Sequence, residues 1–221
     1  PNFTVLTAAD AVETKAAMKA AYEHPGPVYL RLGRDQAETI EASTQPFRIG
    51  HSHTLTEGRD VTLIACGLMV AEAIKAAALL RQNGIAARVI NMYSIKPLDA
   101  ESVILSASET GAIVTAEDHS VVGGLGGAVA EILVRNVPVP MEFVGVEDRF
   151  GESGSQAELY EKYGLTAAKI AAAAVKAIVR KNERKYGQKN SCKNGRKNDT
   201  TLIGDVAASA GHVSGQGFSR E

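Results

Sequence analysis

The chain has 221 residues, and 24 Lys and Arg against 25 Asp and Glu leave a formal net charge of -1. That length holds one full core, or one core and part of another, and the near-zero charge excludes a nucleic-acid footprint spread over the whole surface. A hydrophobic share of 45% argues against disorder throughout, and the lack of any run of 18 apolar residues excludes a membrane-spanning helix. Pro1-Asn2-Phe3-Thr4 offers no basic segment before an apolar run, so no secretory signal is read. With no initiator Met, the expectation is that part of the polypeptide precedes Pro1. Cys66 and Cys192 are the only cysteines; they support no disulfide framework, and a cytoplasmic protein is expected.

In chain order, Thr4-Val5-Leu6 reads as a short strand, and Thr7-Ala8-Ala9-Asp10 as a helix start with a capping side chain. An Ala- and Lys-rich helix follows to about Glu23, where His24-Pro25 stops it. Val28 to Leu32 is a strand with Gly33-Arg34 at its C-terminal end, and a loop through Ser43-Thr44-Gln45-Pro46 closes this first unit. From Phe47 to Leu55 the pattern alternates and ends in Glu57-Gly58-Arg59-Asp60, a strand and turn. Val61–Cys66 is apolar enough for a strand covered on both faces.

A helix to Gln82, closed by Gly84, precedes the strand Arg88–Met92. Asp99 caps a helix to about Ser108, and Ala112–Glu117 is the next strand. A helix over 126–135, the strand Glu142–Val146 and helices near 155–162 and 166–184 complete the body. The regular alternation predicts a three-layer α/β/α domain with a five-stranded, mostly parallel sheet, the strand at 47–56 running antiparallel. Residues 1–179 carry 15 basic against 21 acidic side chains, and residues 180–221 carry 9 against 4. Residues 185–221, polar and without apolar period, read as a disordered tail. Nucleic acid is not expected as a partner, because the basic tail lacks interleaved aromatics.

Several groups invite chemistry. Glu117-Asp118-His119 followed by Gly123, Gly124, Gly126 and Gly127 leads from a strand into a helix, where open α/β sheets present ligands. One reading is a phosphate cradle on the helix N-terminus; the preferred one is a tight turn packed against another subunit. His119 is either a general base or a plain hydrogen-bonding partner, and strand alternation lets it act with Glu117 but not with Asp118. His51 and His53 would share a strand face; a catalytic zinc needs about three ligands, so an exposed pair is preferred to a metal site. Cys66 is expected as a small core residue. Arg34, at a strand end, is either a surface residue or a bidentate phosphate ligand, and Arg31 is structural.

Four strings in order carry a family resemblance: Val28-Tyr29-Leu30-Arg31-Leu32-Gly33-Arg34, Val89 to Asp99, Glu117-Asp118-His119-Ser120 with Gly123-Gly124-Leu125-Gly126, and Asp148-Arg149-Phe150-Gly151-Glu152-Ser153-Gly154. Over about residues 1–180 they resemble the C-terminal part of transketolase, as the C-terminal subunit of a two-chain enzyme. Deoxyxylulose-phosphate synthase and the β subunits of 2-oxo-acid dehydrogenases share the architecture, and the Phe150–Gly154 string resembles transketolase more.

The resemblance implies a fragment of a pyrimidine-binding domain over 1–45 and the C-terminal domain over 46–184. It implies thiamine diphosphate and Mg2+ in the complete enzyme, with no catalytic, cofactor-binding or metal residue on this chain. Arg34 would grip the sugar phosphate; on the residues' own chemistry, apart from the resemblance, His119, Gly123, Gly124 and Gly126 are candidates for a secondary site or interface. An N-terminal subunit, or the missing domains, would be the partner in a homodimer or heterotetramer, and this chain alone would be inactive. A non-catalytic docking module is the alternative. Residues 1–45 should leave a sheet edge and an apolar face open, and are expected to be mobile, aggregation-prone or docked on a neighbour.

Overall fold

The computed structural model describes residues 1–34, 37–40 and 46–194, with backbone alone from 185 onward. Strand β1 (Thr4–Thr7) leads into helix α1 (Ala11–Glu23), capped by Asp10, whose Oδ1 accepts from the Glu13 N–H at 2.7 Å. His24-Pro25 ends that helix, and β2 (Val28–Arg31) pairs parallel with β1. Beyond the linker come β3 (His53–Thr56), β4 (Val61–Ala65), α2 (Met69–Gln82) and β5 (Ala87–Asn91). The chain continues through β6 (Ser94–Lys96), α3 (Ala100–Thr110), β7 (Ile113–Ser120) and α4 (Leu125–Asn136). It closes with β8 (Met141–Val146), α5 (Gln156–Tyr163) and α6 (Ala167–Asn194).

The main sheet has five strands in the order β3-β5-β4-β7-β8, with β3 antiparallel to β5 and the other neighbours parallel. Strand β4 explains the three layers. Val61, Leu63 and Ala65 join the core built with α2 and α6, where Ile170, Ala174 and Ala177 are buried. Ile64 and Cys66 point the other way, to the core under α3 and α4 with Val103, Ala107, Leu125 and Val129. Thr62, fully buried, meets the Thr110 hydroxyl at 2.9 Å, so its polar atom is satisfied between the layers.

Three boundaries differ from expectation. The strand expected over 47–56 begins only at His53; Ile49 and Gly50 form a turn instead. β7 extends past Glu117 to Ser120, because Ser120 pairs with Val146 after a register shift. Helix α6 continues past 184 to Asn194, although Gly187, Asn190, Ser191 and Asn194 are poor helix formers, and local propensity does not explain the extension. The expected disordered tail is therefore helical over 185–194, and residues 195–221 lie outside the described residues. So does the expected boundary at 45, since 41–45 are likewise outside them. The chain divides into the units Pro1–Glu183 and Arg184–Glu221.

The N-terminal strands form a second sheet, β2-β1-β6, and its third strand, β6, was not expected. Ser94–Lys96 is too short and too polar to announce a strand before Pro97, yet it pairs antiparallel with β1 and covers one of its edges. The other edge of this sheet, β2, carries no further strand among the described residues. Around it Phe3, Val12, Met18, Tyr22 and Tyr29 are all more than half exposed, an apolar face of the kind that marks a contact surface.

Candidate functional site

The parallel strands β4, β7 and β8 end on the same side of the sheet, and the candidate groups come from the C-terminal part of β7, the loops after these strands and the end of β2. Glu117 is the central one. It is 3% exposed, and its carboxylate accepts from two backbone N–H groups at the start of α4, Leu125 at 2.7 Å and Gly126 at 2.8 Å. A helix N-terminus favours negative charge, and here the protein's own carboxylate provides it. Gly124 makes the approach possible: a Cβ there would sit 2.0 Å from Glu117 Oε2. The two donors that a phosphate cradle would use are thus already engaged.

His119 follows on the same face of β7, with Nδ1 3.9 Å from Glu117 Oε2 and 2.9 Å from the Ser120 carbonyl. Its ring is half exposed. With Arg31, Cys66, Gly123 and Gly124 it lines a cavity of about 160 Å3. Gly126 lies just inside α4, against Phe143 and Thr115. Cys66 is buried and free, as expected of a core residue, and burial pushes its thiol up.

Asp118 faces the opposite side, as alternation along the strand requires. Its backbone carbonyl accepts from Arg31 Nη2, which also lies 3.5 Å from its Oδ2, and Tyr160 donates its hydroxyl to Oδ2 at 3.3 Å. Arg34 lines a separate cavity of about 310 Å3 together with Asp118, Glu152, Tyr160 and Leu68. Gly33 lets the backbone pass close to Leu68, whose methyls would lie 2.8 Å from any Cβ there. The Arg34 side chain is exposed and makes no hydrogen bond or ion pair with another described residue. Arg34 and His119 therefore do not share one cavity; the Arg31–Asp118 pair lies between them. Glu152, in the loop after β8, pairs with Lys162 at 2.6 Å.

His51 and His53 are not an exposed pair. His51 sits before the strand, exposed, whereas the His53 ring packs edge-on against buried Tyr93 with centroids 4.8 Å apart. Burial holds the His53 ring below the ordinary histidine range. Among the described residues no three His, Cys, Asp or Glu side chains form a metal-binding group. No helix among them is long and apolar enough to cross a membrane.

Sequence reasoning missed a buried tie at Glu13. One carboxylate oxygen accepts from the Ala9 N–H at 2.7 Å and the other from Asn91 Nδ2 at 2.8 Å, joining α1 to β5. Burial raises this carboxyl to about 7, with the charge of Asp10 adding to the shift. The D-x-x-E spacing from Asp10 announces a cap, but nothing local announces Asn91. The Glu117 cap was missed because it lies eight residues before Leu125, while the N-cap position itself is Gly124 and offers no side chain.

The family described as "Transketolase, C-terminal domain" matches residues 50–170. The 6-deoxy-6-sulfo-D-fructose transketolase subunit of Clostridium sp. (strain MSTE9) is 48% identical over 184 residues, covering 83% of this chain and 57% of that protein. The 1-deoxy-D-xylulose-5-phosphate synthase of Heliobacterium modesticaldum is 37% identical over 77% of this chain but only 27% of its own length. A solved structure described as "split gene transketolase, inactive beta4 tetramer" superposes with a TM-score of 0.79 at 51% identity, covering 82% of this chain and 59% of that one. The chain thus spans somewhat more than half of the subunits it resembles.

Proposed function

The chain belongs to the transketolase C-terminal domain family, and from that membership we propose that it is the C-terminal section of a two-chain enzyme transferring a two-carbon ketol unit between sugar phosphates. The observation that carries this reading is the match to a transketolase subunit over 83% of the chain. We assign residues 1–45 to the end of a pyrimidine-binding domain and 46–184 to the C-terminal domain. Thiamine diphosphate and Mg2+ would serve the complete enzyme. The described residues of this chain do not fit a Mg2+–diphosphate site, since no three potential metal-binding side chains converge, and no step is assigned to the cofactor here.

What this chain contributes is one wall for the substrate and surfaces for subunit contact. Arg34 is placed to grip the sugar phosphate: it lines a cavity and has no hydrogen-bond or ion-pair partner among the described residues, and a planar fork suits bidentate binding to a phosphate. The turn carrying Gly123, Gly124 and Gly126, with His119 beside it, is proposed as an interface. An N-terminal subunit is the partner, in a homodimer or heterotetramer. A cytoplasmic location accords with the free Cys66 thiol.

The test is ketol transfer between sugar phosphates, with thiamine diphosphate and Mg2+ supplied, by this chain alone, by the N-terminal subunit alone and by both together. Transfer is expected only from the mixture. In the mixture Arg34→Ala should raise KM for the phosphorylated sugar about 10- to 100-fold with kcat little changed, the worth of one charged hydrogen-bonding pair. An unchanged KM would remove Arg34 from the phosphate site. Formation of 1-deoxy-D-xylulose 5-phosphate in place of ketol transfer would favour the synthase relatives instead.

A further inference from the structure

Arg34 has no hydrogen-bond or ion-pair partner among the described residues, and it follows the end of β2 by three residues. Three residues before it, Arg31 is fastened to Asp118 twice, through the backbone carbonyl and the carboxylate. The same carboxylate oxygen accepts the Tyr160 hydroxyl from α5. Asp118 and Tyr160 also line the cavity into which Arg34 faces. One side chain therefore joins the strand that leads to Arg34 with the helix that forms the opposite wall. We propose that Asp118 is a positioning residue for phosphate recognition: it sets the distance between Arg34 and the α5 wall of the sugar-phosphate cavity. This rests on the transferase reading above and deepens it.

The exposures decide what kind of role this is. Arg31 and Asp118 side chains are 31% and 28% exposed, and an ion pair so open to water adds little to global stability. Positioning is different, because a displacement of about 1 Å at a binding group costs far more than the contact that prevents it. Loss of Asp118 should therefore be read in recognition and not in folding. Asp118→Asn keeps the size of the side chain and the backbone carbonyl contact but removes the charge that holds Arg31, while Asp118→Ala also releases Tyr160.

The experiment uses the reconstituted two-subunit enzyme and compares a phosphorylated acceptor sugar with its unphosphorylated counterpart. Asp118→Asn should raise KM for the phosphorylated sugar about 5- to 10-fold, and Asp118→Ala more, with kcat and the KM for the unphosphorylated sugar little moved. In an Arg34→Ala background Asp118→Asn should add nothing further, since the two act as one unit. Equal KM increases for both sugars, or additive effects of Asp118→Asn and Arg34→Ala, would overturn the proposal while leaving the transferase reading intact. A wild-type mixture with no ketol transfer would sink that reading and this inference with it.

Discussion

Glu117→Ala is expected to cost about 3–5 kcal/mol of folding stability and to lower the melting temperature by about 10 °C. The carboxylate is 3% exposed and accepts from both Leu125 and Gly126 N–H groups within 2.8 Å. Removing it leaves two donors at a buried helix start with no partner, and each hydrogen bond to a charged group is worth about 1.5–3 kcal/mol. Gly124→Ala should act on the same contact from the other side. Its new methyl would lie 2.0 Å from Glu117 Oε2, so the carboxylate must leave its donors or the turn must open. Denaturant titration of both variants is the check; either one unfolding within about 1 kcal/mol of the parent would mean that α4 is held by packing alone.

Glu13 gives the second large effect, with the opposite sign. Its carboxyl is raised from 4.5 to about 7 by burial. Below pH 4.5 the folded and unfolded forms are both protonated and nothing is lost. As the pH climbs from 4.5 to about 7 the unfolded chain ionises first, so stability falls, and the loss levels off above 7 at about 3 kcal/mol. Glu13→Gln should remove that slope and raise stability at pH 8 by up to about 3 kcal/mol. An amide there can still accept from the Ala9 N–H, and once the Asn91 amide turns over it can donate to Asn91 Oδ1, which is buried without a hydrogen-bond partner among the described residues. A variant with the parent's pH slope, followed by thermal melts from pH 4.5 to 8, would show that Glu13 is not the titrating group.

The fold was legible wherever local chemistry and burial agree. Asp10 and Asp99 cap α1 and α3 as their sequence neighbours suggest, and Gly84, with φ 75°, follows the end of α2. The apolar run at Val61 forms the strand covered on both faces. What stayed hidden depends on contacts between residues far apart in sequence. β6 exists because β1 needs a neighbour, not because Ser94-Ile95-Lys96 prefers to be extended. His53 is buried because Tyr93 packs on it, a contact that the two-residue spacing from His51 cannot reveal.

The candidate site divides in the same way. Arg34 and the glycine turn were visible as strand-end groups, and alternation along β7 correctly separates Glu117 and His119 from Asp118. The engagement of Glu117 with α4 and of Asp118 with Arg31 and Tyr160 is tertiary, and each sets what its neighbours can do. The exposed apolar residues around β2 agree with an open face on the N-terminal segment, while β6, Asn91 and Asp118 fasten that segment to the main domain.

On the proposed reading, this polypeptide supplies a substrate wall to a thiamine enzyme whose cofactor is held only when the N-terminal subunit is present. Calorimetric titration of the isolated chain with thiamine diphosphate and Mg2+, followed by addition of the N-terminal subunit, tests it most directly. No saturable binding is expected from the chain alone, and stoichiometric binding once the two subunits are mixed. Tight binding by the isolated chain, with ketose turnover, would contradict it.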